Sequence, residues 1–316
     1  MVAHQIADLI KKLRDFKGLT RKFALGEILS ILGEMTYDDA GFFDVGDFKV
    51  VVSCDGIVES LVKSDPLLAG YFSVLVNVND VVAKGARPIG FVNIISSSSS
   101  EVRRKVAEGM QDGLRKYGLK LLKGHTHPDT SYDSVDAAAV GIARNVLPST
   151  AAKAGDSLII AVDLDGKFSS KGWLKTFDST TMKSSQEVLE RLNSMIELAE
   201  EGLAHAARDI SGPGITGTLA MLCESSQIGA RVDLGSIPKP VDVELEDWLT
   251  TYPGIGFIIS TNRPLECMQV LRSHKLAAAT VGEIAAGKEI WLSYNEQHAL
   301  FLDLKRESIF GVKPHS

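Results

Sequence analysis

The segment Tyr71 to Pro88, YFSVLVNVNDVVAKGARP, constrains this chain more than any other. Val74, Val78, Val81 and Val82 recur at the spacing of a buried helix face. The helix should stop where Lys84 stands in a last turn, with Gly85 just beyond it and Pro88 soon after. Asn77, Asp80 and Lys84 fall at i, i+3 and i+7, so they share a second stripe. An amide, a carboxylate and an ammonium are all costly to desolvate. A mostly apolar helix that carries them either turns them to solvent or gathers them at a cleft or a metal.

At 316 residues and 45% hydrophobic content, the chain can build two domains with separate cores. Its three cysteines, Cys54, Cys223 and Cys267, are odd in number, far apart and form no CxxC pair, so neither a disulfide framework nor a cysteine zinc site is indicated and a reducing cytoplasm fits best. The start, MVAHQIADLIKKLRDF, has no apolar leader, and no stretch is expected to reach the ~20 apolar residues that cross a bilayer. A net charge of −6 argues against nucleic acid as a partner while leaving room for a local basic pocket.

Residues 1–34 read as a helical basic arm, two amphipathic helices broken at Lys17-Gly18, with Lys11, Lys12, Arg14, Lys17, Arg21 and Lys22 on it. Those charges form either a solvated face or a cover for an anionic ligand, in which Arg21 and Lys22 close over phosphates and Gly18 is the hinge. Strands FKVVVSCDGIV, FVNIISS, LKLLKG and VDAAAVGIA alternate with helices through residue 147. A second domain, 148–316, follows the boundary LPSTAAKAGD, with FSSKGWLKTFDS as a loop and further strands in an α+β pattern.

Four more motifs carry chemistry. Asp38 and Asp39 are adjacent in TYDDAGFF; such a pair is a turn, a cap or a set of hard oxygen ligands for Mg²⁺. Asp55 sits where a strand runs into Gly56, and an unpartnered carboxylate there is costly unless it serves a ligand. In KGHTHPD, Gly124 admits a ligand to the backbone while Lys123, His125 and Thr126 offer donors to phosphate. His125 and His127 make only a weak metal pair, lacking a clear third ligand. In DISGPGITG, Asp209, Ser211 and Gly212 precede a helix, and that turn aims backbone N–H groups at an anion. Neither a Walker loop nor a GxGxxG dinucleotide turn is present.

Taken in order, these motifs resemble the aminoimidazole ribonucleotide (AIR) synthetase superfamily. The likeness covers the acidic pair, the strand to Asp55, the helix N-x-N-D-x-x-A-x-G-A-x-P from Asn77 to Pro88, the G-H-T at Gly124, Asp209-Ile210-Ser211 and Gly254-Ile255-Gly256, from about residue 36 to about 290. The group includes AIR synthetase, thiamine-monophosphate kinase, selenophosphate synthetase and a hydrogenase-maturation protein. The resemblance implies a PurM-like two-domain fold: an N-terminal α/β ATP- and Mg-binding domain (35–147), whose strands close a β-barrel with a second subunit, and a C-terminal α+β domain (148–316). It implies that Asp38, Asp39, Asp55, Asp80 and Asp209 hold Mg²⁺ and phosphate, with Asp55, Asp80 and Lys84 as the catalytic set. Asn77, Lys123, Gly124, His125, Thr126, Ser211 and Gly212 would line the nucleotide side, with Arg21 and Lys22 over it.

The departures are specific. Tyr37 stands where the family has Gly, and Gly212-Pro213 replaces an Asp-Gly pair. No cysteine lies near the start or in the tail RESIFGVKPHS, where two branches need one. The chain looks most like the AIR synthase-related branch, whose members share the F-x-G-x-T-R-K-like arm. The expectation is a cytoplasmic homodimer, with no membrane partner, that uses ATP and Mg²⁺ to phosphorylate or activate a small molecule. The alternative is a non-catalytic nucleotide-binding assembly or regulatory protein.

Overall fold

The computed structural model of the chain describes residues 3–32, 37–171 and 173–311. Residues 33–36, where the arm ends and the likeness begins, and 312–316 of the cysteine-free tail lie outside them. The chain divides into two compact units: residues 1–38, 147–182 and 201–316 in the larger, 39–146 and 183–200 in the smaller.

In the larger unit the arm forms α1 (Ala3–Arg14), α2 (Lys17–Thr20), a 3₁₀ turn and α3 (Leu25–Leu32). Lys17-Gly18 is therefore helical rather than a break. Gly18 is buried, and a Cβ on it would stand 2.2 Å from the carbonyl oxygen of Gly212, so this glycine serves close packing and not a hinge. Ile6, Ile10, Leu13 and Leu19 of the arm belong to the unit's hydrophobic core. The arm is thus part of a core and not a loose cover.

The smaller unit contains β1 (Gly41–Val45), β2 (Phe48–Ile57), α4 (Glu59–Ser64), α5 (Pro66–Ala83), β3 (Arg87–Ser96), α6 (Ser100–Tyr117), β4 (Lys120–His127) and β5 (Ser134–Ala143). Its sheet runs β1-β2-β5-β3-β4, antiparallel except for the parallel pair β3–β4. Segment GFFDV is a strand that alternation does not reveal, because all five of its residues are exposed. The G-H-T motif is not a turn: it continues β4, with Gly124 opposite Asn93. Nor does the chain turn at Gly56, which β2 passes through.

Helix α5 packs closely against α6 because the contact is lined by glycine; a Cβ on Gly109 would stand 1.8 Å from the carbonyl oxygen of Leu67. By length and composition α5 could cross a membrane, contrary to the expectation that no segment would, yet 78% of it is buried in protein. It is apolar because it is a core helix. Large apolar side chains remain exposed on the sheet, among them Phe43, Val45, Leu121, Leu122 and Ile94.

The larger unit continues with β6 (Ser157–Val162), β7 (Lys167–Lys171) and β8 (Leu174–Asp178); α7 (Ser185–Glu200) then belongs to the smaller unit. It resumes with β9 (Ala206–Asp209), α8 (Gly214–Ser225), β10 (Gly229–Asp233), α9 (Leu245–Leu249), β11 (Thr251–Pro253), β12 (Gly256–Thr261), α10 (Pro264–Ser273), β13 (Ala277–Ala285), β14 (Glu289–Tyr294) and β15 (Gln297–Asp303). Seven strands form a mixed sheet in the order β15-β14-β10-β13-β6-β12-β9, and three more form β11-β8-β7. The segment FSSKGWLKTFDS is the β7–β8 hairpin rather than a loop. Trp173 at its tip meets the Phe16 ring at 6.3 Å between centroids.

Candidate functional site

Helix α5 starts where the Asp65 carboxylate accepts a hydrogen bond from Leu68 N–H at 3.1 Å, with Pro66 in the first turn. It ends at Lys84, and Gly85 adopts a φ of +75°. The polar stripe is not solvated: Asn77 and Lys84 are 0% exposed and Asp80 is 6%. Each polar group therefore has to be satisfied inside the protein.

Ser53 on β2 supplies one partner, its Oγ lying 2.5 Å from Asp80 Oδ2 and 3.2 Å from Asn77 Oδ1. Asp55 N–H donates to Asn77 Oδ1 at 3.0 Å, and Asn77 Nδ2 donates to the carbonyl of Ser73 at 2.9 Å. The amide of Asn77 is thereby engaged on both sides, and it fixes the strand end that carries Asp55. Lys84 Nζ sits 3.1 Å from Asp39 Oδ2. Carboxylate oxygens of Asp39 and Asp80 approach within 4.8 Å of each other. Two carboxylates come together in a water-poor place and Lys84 is paired with Asp39, so the local charge favours a further cation.

The adjacent aspartates part company. Asp38 belongs to the larger unit, where Ser149 N–H donates to its Oδ2 at 2.7 Å and Ser149 Oγ–H to its Oδ1. Asp39 opens the smaller unit and faces Lys84. Tyr37, in place of the family's glycine, fills a cluster: its ring centroid is 4.5 Å from that of Phe310, and Lys22 Nζ donates to its hydroxyl at 2.8 Å. Arg208, 1% exposed, lies with its guanidinium carbon 5.7 Å from the same ring. Sequence reading passed over Arg208, although a guanidinium inside the apolar strand AARD signals a buried cation.

Asp209 ends β9 and is 2% exposed; Ile210 N–H, next along, donates to the Gly256 carbonyl at 2.8 Å. Ser211 N–H donates to Thr218 Oγ1 at 3.3 Å, which folds the turn back on α8. A Cβ on Gly212 would meet nothing within 4 Å. Arg21 lies 5.5 Å from the Trp173 ring and Lys17 5.7 Å, so these two cations of the arm sit beside this hairpin, while Lys12 pairs with Glu246 and Arg14 with Glu307.

Lys123, Gly124, His125 and Thr126 lie on the exposed edge strand β4. The His125 and His127 rings are 4.6 Å apart, and among the described residues no third metal-binding side chain joins them. Cysteine chemistry is disfavoured. Burial, then the neighbouring Asp55 and Asp136, push the Cys54 thiol up, and burial lifts Cys223 and Cys267 to about 12.

Residues 37–143 match the family model "AIR synthase related protein, N-terminal domain", and 153–295 match its C-terminal counterpart. The chain is 35% identical over 319 residues to Uncharacterized protein MJ0640 of Methanocaldococcus jannaschii, covering 96% of this chain and 98% of that one. It is 27% identical over 227 residues to selenide, water dikinase of Photorhabdus laumondii, covering 68% and 63%. Among solved structures it resembles T. maritima PurL complexed with ATP, at a TM-score of 0.72 and 19% identity over 88% of this chain. It spans only 47% of PurL, about half that protein's length. At that identity the likeness is one of fold: a two-domain, PurM-like α/β architecture.

Proposed function

Since the chain belongs to the AIR synthase-related family through both of its domains, we propose that it is an ATP- and Mg²⁺-dependent enzyme that transfers the γ-phosphoryl group to a small acceptor. The acceptor is an oxygen that keeps the phosphate or a carbonyl activated for displacement. The observation that carries this reading is the buried set Asp39, Asp80 and Lys84, two carboxylates within 4.8 Å against one ammonium.

In this reading Asp39 and Asp80 hold Mg²⁺, which would neutralise charge on the phosphates. Lys84 fixes Asp39, and Ser53 fixes Asp80. Asn77 holds the Asp55 backbone so that its carboxylate faces the phosphates, while Asp38 anchors its segment on Ser149. Asp209, Ser211 and Gly212 enter from the sequence motif alone, as phosphate or metal contacts. Lys123, Gly124, His125 and Thr126 serve the nucleotide, and Arg21 and Lys22 an anionic group. Position and field do the chemistry, with no covalent nucleophile.

The selenide, water dikinase among the relatives and the ATP bound to PurL support the choice of nucleotide. The protein is proposed to be cytoplasmic and to pair with a second copy through the open sheet. Exposed Phe43, Leu121 and Leu122 beside unpaired edges β1 and β4 favour that occupant. Light scattering should then give twice 34.1 kDa.

The test of function is ADP release from Mg-ATP with a panel of small acceptors. Stimulation by one of them supports the enzyme. Tight Mg-ATP binding with no turnover for any acceptor would favour the non-catalytic alternative, for which the absent carboxylate at Gly212 speaks.

A further inference from the structure

Asn93 is one of the residues of the smaller unit with a buried polar atom that makes no hydrogen bond, and it lies in the sheet. It sits in β3 within the apolar run FVNIIS and is 9% exposed. Among the described residues its Oδ1 makes no hydrogen bond. An isosteric leucine would avoid that desolvation loss, so the amide brings the fold no return.

Strand register places Asp55, Ala137, Asn93 and Gly124 in one row across β2, β5, β3 and β4. Gly124 gives the amide its room, because a Cβ there would stand 2.9 Å from Asn93 Oδ1. Two strand spacings, roughly 10 Å, separate Asp55 from Asn93. That span suits a nucleotide whose phosphates lie at the acidic end and whose sugar and base lie toward β4. Alternation along the strands puts the Asn93 side chain on the same face of the sheet as Asp55, opposite the face of Val92 and Ile94.

We propose that Asn93 is the specificity-determining residue for the nucleoside end of the bound nucleotide, an inference that rests on the Mg-ATP reading above. Its amide offers an acceptor and a donor side by side, and a half-turn of the terminal torsion exchanges them. That pair matches a neighbouring donor and acceptor on the ligand, either the amino edge of adenine or vicinal ribose hydroxyls.

Calorimetric binding of Mg-ATP, Mg-GTP and Mg-2′-deoxy-ATP to the full-length protein and to Asn93→Leu tests this. The wild type should prefer ATP to at least one of the other two by about tenfold, the worth of one good hydrogen bond. Asn93→Leu should lose that preference while the ligand-free protein melts no lower than the wild type. Loss in the GTP comparison assigns the base; loss in the deoxy comparison assigns the sugar. Should leucine fail to pack, Asn93→Ala must show the same loss. Unchanged discrimination, or a wild type without preference, overturns this inference alone. A wild type that binds no Mg-ATP overturns it together with the reading beneath it.

Discussion

Lys84 Nζ lies 3.1 Å from Asp39 Oδ2 with the two side chains 0% and 3% exposed, so this ion pair is sealed from water. Asp80 adds a second carboxylate within 4.8 Å of Asp39. Removing the ammonium takes the opposing charge from Asp39 and leaves acidic groups close together in a low dielectric.

Lys84→Met should therefore lower stability by about 3–5 kcal/mol, the usual effect of breaking a buried pair. Added Mg²⁺ should recover part of that loss, raising the variant's melting temperature more than the wild type's. Thermal melts with and without MgCl₂ check this; equal metal effects on both proteins would remove Mg²⁺ from the site.

Asp80→Asn keeps an acceptor for Ser53 and takes away a charge. Mg²⁺-dependent ATP binding should weaken by about an order of magnitude or more while the fold survives, since hard cations select carboxylate over amide oxygen. Unchanged affinity with a lower melting temperature would instead make Asp80 a structural residue.

Gly212→Asp restores the carboxylate that this chain lacks, into space free of atoms within 4 Å. The variant should fold as well as the wild type and reach half-maximal ADP release at lower Mg²⁺ concentration. A metal titration of turnover measures it.

Deleting residues 1–22 removes Ile6, Ile10, Leu13 and Leu19 from the core, each worth roughly 1.5–3 kcal/mol when fully buried. The truncated protein should unfold at clearly lower urea concentration, and not persist as the folded dimer that a hinged cover would leave. Gly18→Ala should act in the same direction, its new methyl meeting the Gly212 carbonyl.

Glu224 supplies a pH signature. Burial penalises its charged form more than hydrogen bonds from Ser308 Oγ–H and Ile309 N–H favour it, so its folded value lies above the ordinary 4.5. Its favourable contribution is complete below that value and is lost as pH rises through the folded one. Glu224→Gln should then be more stable than the wild type at pH 7, and the gain should disappear near pH 4.5. Denaturant titrations at both pH values decide it.

The α5 stripe was legible because helical periodicity and a glycine stop are local signals, whereas the choice between a solvated and a buried stripe was open until the packing around Asn77, Asp80 and Lys84 was seen. The partner of Lys84 was not, since Asp39 lies far away in the chain and nothing local selects it over Asp38. Strand β1 escaped because a strand exposed on every residue shows no alternation. Gly18 read as a break and Gly124 as an opening for a ligand, yet each lets another group, the Gly212 carbonyl or Asn93 Oδ1, come close. Asn93 did carry a signal, one amide in the middle of FVNIIS, which a search restricted to charged and glycine motifs passes over.

The chain crosses from one unit to the other at 38–39, 146–147, 182–183 and 200–201. Neither unit is therefore a contiguous stretch of gene. A fragment ending at residue 146 would lack α7, whose Ala199 side chain lies where a Cβ on Gly85 would fall, 2.2 Å away. No single breakpoint can part the two units from each other, so a recombination that keeps one of them whole carries a piece of the other with it.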